Sequence, residues 1–285
     1  MLLKYVAPAK INLSLHITNK RPNGYHELSS LVVFTEFGDL IELKPAMHLI
    51  FNIQGPFAKD LPYPKQNSII IAAQKAAKLF QKELNVEITL TKNLPISSGI
   101  GGGTSDAATL LKMLLNFWQI KILPENWPEF LLNLGADIPV CFFQKPCLMS
   151  GIGEHLEPFH LSFNMPILLI NPLKSISTIE AFKTRKDVFS EPCQLPQTEN
   201  LASFITSLKP MQNDLTHAAQ IICIEVKSIL EALQSDPNCH LARMSGSGAT
   251  CFGLYSSIED AKKAAENFKL IFPNFWIQPT SINII

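Results

Sequence analysis

Four glycines stand within five residues in the stretch Pro95-Ile96-Ser97-Ser98-Gly99-Ile100-Gly101-Gly102-Gly103-Thr104-Ser105. Glycine takes positive φ freely and lets a backbone approach a ligand closely, at a cost of about 0.5–1 kcal/mol in a regular element. Four together exceed what a turn needs. The run separates a predicted strand, 86–91, from a predicted helix, 104–118. A helix N-terminus carries unpaired N–H groups and partial positive charge, and the chemistry that suits it is phosphate binding. Thr104 or Ser105 is expected to cap that helix and to offer a hydroxyl to phosphate or magnesium. Two other phosphate patterns fail. No lysine follows Gly103, as a Walker A loop requires, and G-x-G-x-x-G breaks at Thr104 or at Asp106.

Other residues could do chemistry. Lys10 sits within an alternating strand pattern and either meets solvent or serves a site. Asn12 shares its face by the strand period of two. Asp137 follows Gly135, which predicts a helix C-cap with Pro139 beyond. Tyr25 and His26 follow the turn signal Arg21-Pro22-Asn23-Gly24. An aromatic face and an imidazole suit a planar base. Thr178 and Phe182 are four apart, which places both on one face of a helix. A second small-residue run, Met244-Ser245-Gly246-Ser247-Gly248-Ala249-Thr250, reads as a tight turn or a loop over a ligand.

Strands are predicted at 31–37 and 39–43, separated by Gly38, and at 49–53, 167–170, 249–254 and 275–277. The stretch 3–18 reads as a strand or bent strand pair. Helices are predicted at 67–84, 127–134, 215–234 and 258–268, and turns dominate 147–163. Strands and helices mix without regular alternation, which predicts an α+β protein. The length of 285 residues suits two domains, 1–160 and 161–285.

Apolar residues make up 47% and charged residues 17%, which excludes a disordered chain. Lys plus Arg equal Asp plus Glu at 24 each. No long-range field therefore favours nucleic acid or an anionic membrane, and a phosphate site must be built locally. The six cysteines form no C-x-x-C pair and stand with no histidine cluster, which predicts reduced thiols and no zinc site. No apolar run resembles a signal peptide or membrane span, so a soluble, cytoplasmic protein is expected.

The loop P-x-x-x-G-x-G-G-G-[ST]-S-[DN]-A-A resembles the ATP loop of the galactokinase, homoserine kinase, mevalonate kinase and phosphomevalonate kinase family. Ala7-Pro8-Ala9-Lys10-Ile11-Asn12-Leu13 resembles that family's first motif, and 244–253 its third. The resemblance implies a first domain like domain 2 of ribosomal protein S5 and a ferredoxin-like second domain. It implies an ATP-dependent kinase of a small alcohol, with Mg2+ held mainly by phosphates and water and Ser105 as its best protein contact. Lys10 and Asp137 are its implied catalytic residues, and residues 95–105 its ATP loop. Asn67 and Lys92 are expected to border the adenosine.

Gly24-Tyr25-His26-Glu27-Leu28 is similar to the branch of that family whose substrate carries a cytidine diphosphate group. The branch implies Asn12, Tyr25, His26, Thr178 and Phe182 as substrate contacts, with Phe182 against the base. Homoserine or mevalonate as acceptor, or a non-catalytic binding protein on this fold, are the competing readings. Oligomeric state is left open.

Overall fold

The computed structural model describes residues 2–61 and 67–283, which group into two compact units. The first comprises Met1–Ala9, Phe37–Ile96 and Gly101–Gln144. Strand β1 (Leu3–Asn12) enters it with residues 3–9, and β3 (His26–Pro45) with residues 37–45. Here β3 pairs antiparallel with β5 (Val86–Thr91), and β5 pairs parallel with β4 (Ile50–Gln54). Parallel neighbours need a long crossover, and helix α1 (Ser68–Phe80) lies within it.

Strand β5 alternates, with Val86, Ile88 and Leu90 fully buried. They join Ile69 and Ala73 of α1 and Leu110, Met113 and Leu114 of α2 (Gly102–Phe117) in one core. Burying each larger aliphatic side chain contributes about 1.5–3 kcal/mol. Helices α3 (Trp127–Leu132) and α4 (Ile138–Phe143) build a second cluster. In it the Trp127 ring packs on Phe80, Phe130 and Phe142.

Gly38 does not separate two strands. β3 runs unbroken for 20 residues. A Cβ at Gly38 would sit 2.1 Å from the Ala7 carbonyl oxygen. The glycine is there for close approach of β1, not as a break.

The second unit comprises Lys10–Glu36, Ser97–Ile100 and Lys145–Ile285. The expected cut at 160 divides the chain once. The units instead group 10–36, 97–100 and 145–160 with the C-terminal residues. β2 (His16–Lys20) pairs antiparallel with the first part of β3. β3 also pairs with β6 (Cys147–Gly151), and β6 with β7 (His155–Pro158). The stretch predicted as turns is therefore a hairpin. Its bend uses positive φ at Gly151 and Gly153. The Glu154 carboxylate accepts from the Ile152 N–H and pairs with Arg21 Nη2 at 2.8 Å.

Four further strands, β8 (Pro166–Asn171), β9 (Leu241–Met244), β10 (Cys251–Leu254) and β11 (Trp276–Ser281), form an antiparallel sheet in the order β11-β8-β10-β9. Helices α5 (Thr178–Thr184), α6 (Leu201–Leu208), α7 (Thr216–Ile222) and α8 (Glu225–Ser235) fall between β8 and β9, and α9 (Ile258–Ile271) between β10 and β11. That order, first strand inside and fourth at the edge, is the ferredoxin-like arrangement expected. All of β8 is buried, and Pro279 is tolerated because β11 is an edge strand. The helix expected over 215–234 divides at Cys223, whose backbone is extended. Among the described residues no helix is long and apolar enough to cross a membrane.

Candidate active site

Helix α2 begins at Gly102, and Gly101 before it is left-handed at φ 65° with no side-chain cap. Thr104 and Ser105 are therefore not caps. A glycine turns the chain instead, and both hydroxyl residues fall inside the first turn. Among the described residues the start of this 16-residue helix carries no side-chain cap bond, and its first-turn N–H groups are of the kind that suit an anionic acceptor. Positive φ recurs at Ser97, Gly99 and Gly101. Ser105 is fully buried, and its Oγ has no hydrogen-bond partner among the described residues. Asn67 caps α1 by accepting from the Ile69 N–H at 3.0 Å. Ser68 Oγ donates to the Gly103 carbonyl at 2.8 Å, which ties the starts of α1 and α2 together.

Beneath that helix start lies a cluster absent from the sequence reading. Lys92, 2% exposed, donates to Asp106 Oδ2 at 2.8 Å and to Asp39 Oδ2. Asp39 Oδ1 also accepts from the N–H groups of Asn93 and Leu94. Burial drives the Asp106 carboxyl well above the usual carboxylate range against the pull of Lys92, and Asp39 adds to the rise. Burial would lower the Lys92 ammonium, but the two carboxylates outweigh it and its pKa is raised. Lys92 was expected beside the adenosine. Its ammonium is instead committed to two internal carboxylates. A Cβ at Gly102 would lie 3.1 Å from Lys92 Nζ, so that glycine makes room for the buried cation.

Loop residues 97–100 belong to the second unit, where they meet the third motif. Ser245 Oγ donates to the Gly99 carbonyl at 3.1 Å. The Ser98 carbonyl accepts from Thr250 N and Thr250 Oγ1. A Cβ at Gly99 would lie 2.6 Å from the carbonyl oxygens of Ser245 and Gly248, so only glycine fits. The Asn12 N–H donates to Ser245 Oγ at 3.1 Å, and Lys10 N–H donates to the Ile100 carbonyl at 2.9 Å.

Lys10 is 4% exposed, which excludes a solvent-facing lysine. Its charge reaches Cys147, whose thiol burial pushes up to about 12 against the lysine's pull. Asn12 Nδ2 donates to Ser30 Oγ at 2.7 Å. Asn12 Oδ1 is buried with no partner among the described residues, an acceptor open to a ligand.

The residues expected at the base come together in the same unit. His26 and Phe182 stack with ring centroids 4.9 Å apart. Thr178, one helical turn before Phe182, shares a hydrogen bond of 3.0 Å with Ser247 of the third motif. Tyr25 is 58% exposed. Burial lowers the His26 pKa, and the charges of Arg185 and Lys20 lower it further.

Asp137, half-buried, directly precedes α4 and makes no cap bond to it. Gly135 is not the cap of α3, which ends at Leu132 with Asn133 as its C-cap. Among the described residues no three His, Cys, Asp or Glu side chains gather as a metal cage.

Residues 69–145 match the GHMP kinases N terminal domain, and 196–274 match the GHMP kinases C terminal family. These two matches define a GHMP kinase. The 4-diphosphocytidyl-2-C-methyl-D-erythritol kinase of Cereibacter sphaeroides is 43% identical over 96% of both chains. A crystal structure of 4-(cytidine 5'-diphospho)-2C-methyl-D-erythritol kinase superposes with a TM-score of 0.82 at 26% identity, covering 99% of each chain. Homoserine kinase from Cytophaga hutchinsonii shares the fold at a TM-score of 0.71 and 16% identity, over 99% of this chain and 95% of its own. The chain belongs to the 4-diphosphocytidyl-2-C-methyl-D-erythritol kinase family.

Proposed function

We propose that this chain transfers the γ-phosphoryl group of ATP to the 2-hydroxyl of 4-diphosphocytidyl-2-C-methyl-D-erythritol, in the cytoplasm, on the methylerythritol phosphate route to isoprenoid precursors. One observation supports this acceptor over homoserine or mevalonate. The His26–Phe182 ring pair, with Tyr25 next in sequence, is a surface for a planar base, which those two alcohols lack.

In this reading the open start of α2 and the 95–105 loop receive the nucleotide phosphates, with Asn67 toward the adenosine. Magnesium suits the residues present, because the open Ser105 hydroxyl offers one ligand and phosphates and water supply the rest. When bound, the ion neutralises charge on the phosphate oxygens. Lys10 stabilises charge on the transferring group. Asp137 orients the attacking hydroxyl and accepts its proton late, as a loose transition state allows. Asn12 Oδ1 accepts from an alcohol of the substrate, and Thr178 lies toward the erythritol.

ADP release from the purified chain tests the acceptor. Turnover is expected with the cytidylyl alcohol and not with homoserine or mevalonate. The reverse pattern selects another member of the family. Ligand binding without transfer at any magnesium concentration selects a binding protein.

His26 supplies a second check. Its lowered pKa keeps the imidazole neutral at pH 7, able both to donate and to accept at a pyrimidine edge. His26→Ala is expected to raise KM for the cytidylyl alcohol about 10–1000-fold, the worth of one stacked ring and one hydrogen bond, with KM for ATP nearly unchanged. Wild-type KM for the alcohol should climb only as pH falls below the ordinary imidazole range, where the ring gains its proton. That climb should be absent in the variant. Equal effects on both substrates would contradict the assignment.

A further inference from the structure

An asparagine outside the three motifs holds the third motif in shape. Asn213 is 5% exposed, and its Nδ2 donates to the carbonyls of Met244 and Gly246, each at 2.8 Å. Its Oδ1 accepts from the Leu215 N–H at 3.0 Å. Both amide protons and the amide oxygen are therefore in use. The turn carrying Asn213 is fastened to the start of β2. Leu15 N donates to the Gln212 carbonyl and Asp214 N to the Leu15 carbonyl, both at 2.9 Å. Ile17 N donates to Asp214 Oδ2 at 2.7 Å, and Gln212 N to His16 Nε2 at 3.1 Å. Arg243, just before the motif, donates to the carbonyls of Leu13, Leu208 and Met211.

We propose that Asn213 is a positioning residue for phosphoryl transfer. Its carboxamide fixes the turn at 244–248, and through Ser245 and Thr250 that turn fixes the Ser98–Gly99 backbone of the phosphate loop. The inference rests on reading that loop as the nucleotide site. The turn needs an external brace because Gly246 and Gly248 sit at φ 56° and 84°, and glycine alone does not hold one conformation. Asparagine suits the place because a single nitrogen supplies both donors. Aspartate would keep the bond from Leu215 N–H but set a carboxylate oxygen against two carbonyl oxygens.

The test uses Asn213→Asp and Asn213→Ser in the full chain. Asn213 borders a cavity of about 580 Å³. Three measurements are made: ADP affinity by calorimetry, steady-state kinetics with the cytidylyl alcohol, and hydrogen exchange of 244–250 against 276–281 in β11.

Asn213→Asp is expected to weaken ADP at least tenfold and to lower kcat at least tenfold, with KM for the alcohol within threefold. Asn213→Ser, which keeps one donor, should weaken ADP at least threefold, and it carries the test if the aspartate variant does not fold. Amides of 244–250 should exchange faster while those of 276–281 keep wild-type protection. ADP affinity and kcat within twofold of wild type would overturn the proposal. Exchange rising equally in both segments would also overturn it, because that marks a general loss of stability. The ADP measurement needs no acceptor. A wild-type chain that binds ADP but ignores the cytidylyl alcohol would sink the acceptor assignment while leaving Asn213 to be judged by its own ADP result.

Discussion

Lys10→Met and Asp137→Asn are each expected to cut kcat severely while leaving the melting temperature close to wild type. Both substitutions keep volume and remove charge. The asparagine also removes the proton acceptor, and a positioned general base is worth about 10²–10⁴-fold. Removing a cation aimed at developing phosphate charge costs about 10²–10³-fold. KM for either substrate should move far less than kcat, because these groups act most in the transition state. ADP release under saturating substrates, with a thermal melt of each variant, checks this. Turnover within threefold of wild type would take that residue out of the mechanism. The side chain of Lys10 is almost wholly buried, so it is held in place rather than left waving in solvent.

The second large effect concerns stability. Lys92→Met leaves the carboxyl groups of Asp39 and Asp106 buried without their cation. Removing one partner from a buried ion pair costs about 3–5 kcal/mol, because the remaining charge has lost its solvent and its counter-charge. Urea unfolding at pH 7.5 should show a loss of that size. The pH dependence follows from the raised pKa of Asp106. Its native state binds a proton more readily than the unfolded chain. The stability it contributes is thus present below the ordinary carboxylate range of about 4 and declines as pH rises through the raised value. Without Lys92 the Asp106 carboxyl shifts further up. Acidifying from pH 7.5 toward 6 should therefore narrow the gap between variant and wild type. A gap that stays constant over that interval would show that the cost is lost packing, not uncompensated charge.

Much of the fold was written in local pattern. The alternation in 86–91 and the 3.6-residue spacing in α1, α2 and α9 named those elements within a few residues. Other elements hid behind residues with two meanings. Pro139 looks like a stop, yet it occupies the first turn of α4, where a missing N–H costs nothing. The glycines at 151 and 153 looked like loop and instead turn a hairpin. Gly38 looked like punctuation and is a point of close approach.

The candidate site divides the same way. Lys10, Asn12, His26, the glycine loop and the Ser-Gly turn stand in short runs, and their types and order carry the signal. Asp39, Asp106 and Asn213 stand in no run. Lys92 meets Asp39 across 53 residues, and Asn213 meets Met244 across 31. Long-range pairing leaves no period to read. A faint signal existed in Asp39 itself, an acid inside an apolar strand, since buried acids are rarely unpaired.

The hold of Ser245 and Thr250 on the Ser98–Gly99 backbone bears on how the chain matures. The partners lie 146 and 152 residues apart. A chain emerging from the ribosome exposes its glycine loop long before anything exists to brace it. Nucleotide affinity should arrive late and abruptly, once synthesis has passed Thr250, and a nascent fragment ending short of that threonine would have the loop without its grip.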